Sequence, residues 1–384
     1  MNRINFFKKA VMSIALMGMT LSFAACSDDK DEPDPNQLDN TKTAIINQYV
    51  NGVVIPTYRS LADEASELAE LCDELRNNPT QGKLNECCES WISARKYWEL
   101  SEAFLFGAAA DYNIDPHIDS WPLQKSQLDN ILANNALIKA LDEDGAAADA
   151  FATLGYGLLG FHAVEYVLFR DGAPRNVNEI GEAELIYNAA VAQDLANQTI
   201  RLEASWAGMD DITAAKRSIL EEFELEPSFD YGENMVNAGM TGNTLYKTQL
   251  AAMEQILTGA SDISDEVGNT KITDPVNSGN VLDVESWYSW NSIADFTDNI
   301  RSVRNAYYGS LDGTVNNNSM AAYINKVNST LDHNVRSAID NAINEVSNMP
   351  APFRNHLSKG ETQKAVDACN NLLDALDAAI EGLK

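Results

Sequence analysis

From Thr41 to its end the chain keeps returning to one pattern, apolar residues three and four apart, broken by short runs of Gly, Asn and Pro. Over 41–77 the stripe runs Ile45, Ile46, Val50, Val53, Leu61, Ala65, Leu68 and Leu71, the period of a helix with one face in a core. Pro56 interrupts it and is expected to kink the helix, because it has no N–H to donate. Residues 78–82 read as a turn, and 83–106 as a second helix ending at Gly107. A loop rich in Asp, Asn and Pro follows over 111–122, then short helices to about Leu141. Long helices are expected over 146–169 and 178–206. Further helical patterns lie near 210–223, 240–258, 285–309, 317–346 and 361–383, with Gly/Asn breaks near 228–244 and 267–280. The alternation that marks strands is nearly absent. The expected fold is all-α: two packed helical bundles, 41–225 and 226–384. Each half leaves a helix through an aromatic–Gly pair, Phe106-Gly107 and Tyr308-Gly309, which hints at internal duplication.

The first 25 residues do not count toward that fold. Arg3, Lys8 and Lys9 precede an uncharged, mostly apolar run over 10–25 that ends in small residues, the layout of a secretory signal peptide. The run is shorter than the ~20 residues a spanning helix needs. Phe23-Ala24-Ala25-Cys26 resembles a bacterial lipobox, which would make Cys26 the lipidated N-terminus; ordinary signal-peptidase cleavage, with Cys26 a bystander, is the alternative. Residues 27–40 carry six acids, one Lys and two Pro, a composition that stays solvated and suits a tether. This start also resembles the surface-export tails of Bacteroidetes lipoproteins. The expected location is the cell envelope, lipid-anchored to the outer membrane, with membrane contact through the anchor alone. With 27 Lys+Arg against 57 Asp+Glu, a formal charge of −30, the chain is a poor candidate for nucleic acid, whose phosphates need a basic surface.

An exported protein meets an oxidising compartment. Cys72 and Cys87 stand about seven residues either side of the turn at 79–80, facing positions in a helical hairpin. A disulfide from Cys72 to Cys87 or Cys88 is therefore one expectation, reduced core thiols the other. The spacing 72, 87, 88, 369 fits no structural zinc pattern.

Gly155-Tyr156-Gly157-Leu158-Leu159-Gly160 satisfies the dinucleotide fingerprint, but no buried strand precedes it. Small residues that let one element approach another are the better reading. Between Asp149 and Glu165 no charged residue occurs, so this stretch is expected to be buried all round. Yet it carries His162 and Glu165, three apart on one face. A buried carboxylate demands a cation, a metal or a hydrogen-bond network beside it.

Gly160-Phe161-His162-Ala163-Val164-Glu165 resembles the G-x-H-x-x-E signature of the imelysin-like family. Residues 91–107, running from Trp91 through Arg95, Glu99 and Glu102 to Phe106-Gly107, resemble that family's Arg-to-Phe-Gly helix. Ile118-Asp119-Ser120-Trp121-Pro122 resembles its I-D-x-W-P loop, and 291–309 its late helix ending in Tyr-Gly. The resemblance implies two helical bundles with a site near their junction, and a link to bacterial iron uptake. Carried over by position, it implies the metal ligands Glu102, Asp119, His162 and Glu165. Three carboxylates and an imidazole suit iron, with zinc or haem as alternatives. Arg95 and Glu99 are secondary candidates, Arg95 alternatively neutralising Glu99 or Glu102; His117 is close enough to the Asp119 loop to join. The leading expectation is a non-enzymatic protein that captures iron, or an iron-bearing ligand, for an envelope transport partner. A zinc metallopeptidase is one alternative, although Tyr166 follows Glu165 where a second zinc-binding His would stand. A glycan- or protein-binding lipoprotein with a purely structural His162–Glu165 pair is the other.

Overall fold

The computed structural model describes residues 38–143, 151 and 154–383. The signal segment 1–25, Cys26, the tether up to residue 37 and the greater part of 144–153 lie outside the described residues. Asp39 opens the first helix, α1 (Asn40–Tyr49), its carboxylate accepting from Thr41 N–H at 2.8 Å. The chain then runs through a π-helical segment, Val50–Val54, into α2 (Ile55–Asn77). Pro56 therefore sits in the first turn after a widened stretch of helix, which accommodates its missing N–H without breaking the rod. Thr80 caps α3 (Gln81–Glu99), and the short turn between them makes α2 and α3 an antiparallel hairpin.

Where a long helix over 146–169 was expected, the described chain makes a 3-10 turn at Tyr156–Leu158 and starts α4 (Gly160–Leu168) only afterwards. Gly160, at φ +72°, is the reason: the backbone turns there in a way that starts a new helix against a neighbour. A two-residue β-pairing joins Phe169–Arg170 to Ala173–Pro174. The long helix α5 (Glu182–Ala207) packs along α2, and α4 sits against both α5 and α3.

The second group of helices is α6 (Gln249–Glu266), α7 (Ser292–Tyr308), α8 (Ser329–Ser347) and α9 (Lys359–Leu383). Here α9 packs on α8 and α6, and α7 on α6 and α8. The Gly/Asn-rich stretch expected as a break at 267–280 instead continues α6 through a π segment, Val267–Ile272, into a short helix Thr273–Ser278. The two groups share one core: α7 packs on α3, and the turn Glu102–Phe104 is pressed between α6 and α7. Gly259 on α6 makes that approach possible, since a Cβ there would stand 2.2 Å from Ala103 O. Among the described residues no helix is long and apolar enough to cross a membrane.

The disulfide expectation is corrected. Cys72 and Cys87 are neighbours across the hairpin, but Cys72, Cys87, Cys88 and Cys369 are all free and buried, the reduced core thiols of the other expectation. The Cys87 contact and burial push the Cys72 thiol well above its usual range, while Asn188 Nδ2 donates to its sulfur at 3.2 Å.

Candidate metal centre

At the junction of the two groups, charged side chains that water normally claims are almost wholly buried. Arg95 and Glu99 project from α3, Glu102 from the turn beyond it, and Asp119 from the loop after the short helix Ile114–Ile118. His162 and Glu165 come from α4, Lys271 from the π segment, and Glu285 and Asp295 from the loop and first turn leading into α7. That loop is held in unusual geometry, with Ser286 at φ 51° and Trp290 at φ 63°.

Arg95 is the hub. Its Nη1 pairs with Asp119 Oδ1 and its Nη2 with both Glu99 and Glu285, while Nε lies 3.9 Å from Asp295 Oδ2. Lys271 Nζ supplies the second cation, 3.1 Å from Glu285, 3.6 Å from Glu102 and 4.0 Å from Glu99. Arg95 thus neutralises Glu99, whereas Lys271 takes Glu102. Asp119 Oδ2 also accepts from Trp98 Nε1 at 2.7 Å.

His162 bridges the cluster to Glu165. Its Nδ1 lies 3.1 Å from Glu165 Oε2, and Glu165 Oε1 accepts from Ser289 N–H and Oγ–H at 2.8 and 2.7 Å. Both Glu165 oxygens are thereby engaged. This carboxylate fixes the ring and leaves Nε2 as the free donor atom, the usual arrangement behind a metal-binding imidazole. Nε2 lies 3.1 Å from Asp119 Oδ1 yet has no hydrogen-bond partner, and Glu285 Oε2 is likewise buried and unpartnered.

Among the described residues, two groups of donor atoms come close enough to hold a metal ion: Asp119, His162 and Glu285, and separately Glu99, Glu102 and Asp119. The first pairs the orphaned imidazole nitrogen with carboxylate oxygens, a donor set that fits a borderline or hard cation such as iron. Of the residues the resemblance implied, Asp119 and His162 share a group, Glu102 belongs to the other, and Glu165 stands behind the imidazole. His117 is not in the cluster. Its Nε2 lies 2.6 Å from Asp194 Oδ2 on α5, and it faces a separate cavity. Glu285, Lys271 and Asp295 escaped the sequence reading.

Charge balance favours a guest cation. Burial lifts the carboxyls of Glu99, Glu102 and Glu266 above their usual range, and lifts Asp115 and Asp295 to about 7, despite Lys271 and Arg95. Burial alone would raise Asp119 too, but Arg95 and His162 outweigh it and hold that carboxyl well below the usual range. Burial opposes the charged imidazole, yet the Asp119 and Glu165 carboxylates beside the ring push His162 up to about 9. The folded metal-free protein thus holds protons that the unfolded chain, with His near 6.5, releases first. The His162 contribution, on the order of 3 kcal/mol, is complete below pH 6.5 and disappears as pH rises through 9. Unfolding free energy of metal-free protein should fall over that window, and His162→Gln should flatten the fall. Parallel slopes for the two proteins would contradict this.

An all-α protein of two helix groups, with an acid-rich cluster around one imidazole buried where they meet, is the class that fold and site define. Residues 54–379 match the profile of the imelysin family, a peptidase family by name. The chain belongs to the imelysin family. Over 378 residues it is 24% identical to iron-regulated protein A of Synechococcus elongatus, covering 97% of this chain and 92% of that protein. A crystal structure from Parabacteroides distasonis, described as an iron-regulated protein A precursor, superposes with a TM-score of 0.77 at 30% identity. It covers 91% of this chain and 96% of its own. An imelysin-like protein from Psychrobacter arcticus shares the fold at TM-score 0.62 and 13% identity, over 87% of this chain and 92% of its own.

Proposed function

We propose that this protein is a binding protein of the cell envelope that takes up iron at the buried junction, with Asp119, His162 and Glu285 as ligands. Glu165 orients His162, and Glu99 and Glu102 stand beside Asp119 as further oxygen donors. The single observation that carries this reading is the His162 ring: Nδ1 is committed to Glu165, while Nε2 is buried and unpartnered within reach of two carboxylates. The excess of buried acids over Arg95 and Lys271 gives a dication electrostatic reason to enter. The relatives in Synechococcus and Parabacteroides are named for regulation by iron, which supports a role in iron handling. Acylation of Cys26, with the acidic tether behind it, would hold the folded body at the outer membrane, where an envelope transport partner would receive the metal.

Calorimetric titration of metal-free protein with ferrous iron under anaerobic conditions tests the site. One ion per chain is expected, with affinity at least tenfold weaker in His162→Ala and in Glu285→Gln, since each removes a ligand. Unchanged affinity in both variants would remove the assignment. Chelator-sensitive cleavage of an unfolded polypeptide, lost in Glu165→Gln, would instead favour the peptidase reading.

A further inference from the structure

A small cavity of about 280 Å³ is lined by Leu123, Lys125, Tyr166, Arg170, Trp287 and Tyr288 among others. Its chemistry is the inverse of the metal centre: two cations and three aromatic rings, in a chain of net charge −30. Arg170 sits in the two-residue β-pairing, whose turn passes through Asp171 at φ 50° and Gly172 at φ 79°. Gly172 N–H donates to Tyr288 O at 2.9 Å, which ties this turn to the loop carrying Trp287 and Tyr288.

The guanidinium of Arg170 lies over two rings, 4.6 Å from the centroid of Tyr166 and 5.2 Å from that of Tyr288. Those rings meet edge to face at 5.2 Å, and Trp287 packs on Tyr288 at 4.5 Å. Among the described residues no acid pairs with Arg170, and its Nη1 is buried without a hydrogen-bond partner. Lys125 Nζ stands 5.6 Å from the Tyr166 ring, and its ion pair to Asp129 is exposed. Exposed pairs of that kind hold a charge weakly. A cation kept between ring faces, with unused planar donors beside it, is shaped to receive a planar anion two bonds at a time. The volume, at the small end of ligand pockets, admits about one aromatic ring and its acid group.

We infer that this cavity is a second ligand site, for a small aromatic carboxylate whose acid group meets Arg170 and Lys125 and whose ring packs against Trp287 and Tyr288. It does not depend on the metal centre, so metal-free protein serves for the test. Salicylate is titrated while tryptophan fluorescence reports on Trp287. Saturable quenching is expected for wild type, with affinity about tenfold weaker in Arg170→Gln, as loss of a charge-assisted hydrogen bond implies. Lys125→Gln, an exposed substitution, weakens binding about threefold and reduces its salt dependence. Cyclohexanecarboxylate and benzyl alcohol, which each lack one of the two features, bind at least tenfold more weakly than salicylate. Circular dichroism and intact iron binding in Arg170→Gln show that the fold and the metal centre are preserved. No saturable binding at millimolar salicylate, or equal binding by wild type and both variants, overturns the proposal.

Discussion

Replacing Arg95 by Met is expected to destabilise the protein by about 3–5 kcal/mol at pH 7, the cost of stranding buried charges by removing one partner. The magnitude follows from what Arg95 touches. Asp119, Glu99 and Glu285 all meet its two terminal nitrogens, and none of the three can turn to water. Lys271 reaches Glu99 and Glu285 but gives Asp119 no direct ion pair. Without the guanidinium the carboxyls must take up protons or expel one another, so the deficit should shrink as pH falls toward 5. Chemical denaturation of wild type and variant at pH 7 and pH 5 measures both effects. Arg95→Lys restores the charge without the planar fork and should recover only part of the loss. A deficit below about 1 kcal/mol at pH 7, typical of surface changes, would show that the cluster is not held by charge balance. A dication at Asp119 would then have no repulsion to relieve, and the proposed metal site would lose its driving force.

Six of the nine side chains of this cluster are legible in the sequence, and the absence of the other three has a physical cause. His162 and Glu165 stand out because no other charge occurs on their helix, and Arg95, Glu99, Glu102 and Asp119 lie where the three resembled motifs place them. Lys271, Glu285 and Asp295 give no such signal. Lys271 lies in a Gly/Asn stretch that reads as a break, and a π segment turns it inward instead. Periodicity of 3.6 residues cannot register a helix that widens to another repeat. Glu285 lies outside regular helix, so its burial depends on contacts about 190 residues away in sequence. His117 misleads for the opposite reason. Two residues from Asp119 in sequence, it leaves the end of a one-turn helix toward Asp194 on α5. Neighbouring positions on a helix do not share a face. For Glu165 the spacing is right but the role is not decided by it: a residue three along can ligate a metal or buttress the imidazole that does. Only Ser289, from a distant loop, settles which way its oxygens point. The thiols show the same limit, because hairpin spacing brings Cys72 to Cys87 but says nothing of whether a bond forms.

Gly160 is where backbone geometry and site chemistry meet, and Gly160→Ala should cost about 3–4 kcal/mol. Part of that is the left-handed backbone, φ +72°, which an L side chain adopts at about 1–2 kcal/mol. The larger part is contact: a Cβ at this position would stand 2.0 Å from Ile118 O, a backbone atom that cannot rotate aside. The chain can relieve this only by moving the start of α4 away from residue 118. Asp119 and His162 then separate, because each is within two residues of the clash. The variant should therefore lose iron affinity even in conditions where it remains folded, which a pure stability defect would not do. Gly155→Ala is the internal comparison, since nothing lies within 4 Å of a Cβ there, and it should match wild type in both respects. Differential scanning calorimetry alongside iron titration separates the outcomes. If Gly160→Ala unfolds earlier but binds iron like wild type, the tight approach of α4 to the Asp119 loop serves packing alone. If both properties fall together in Gly160→Ala and neither in Gly155→Ala, the glycine is what brings imidazole and carboxylate within reach of one ion.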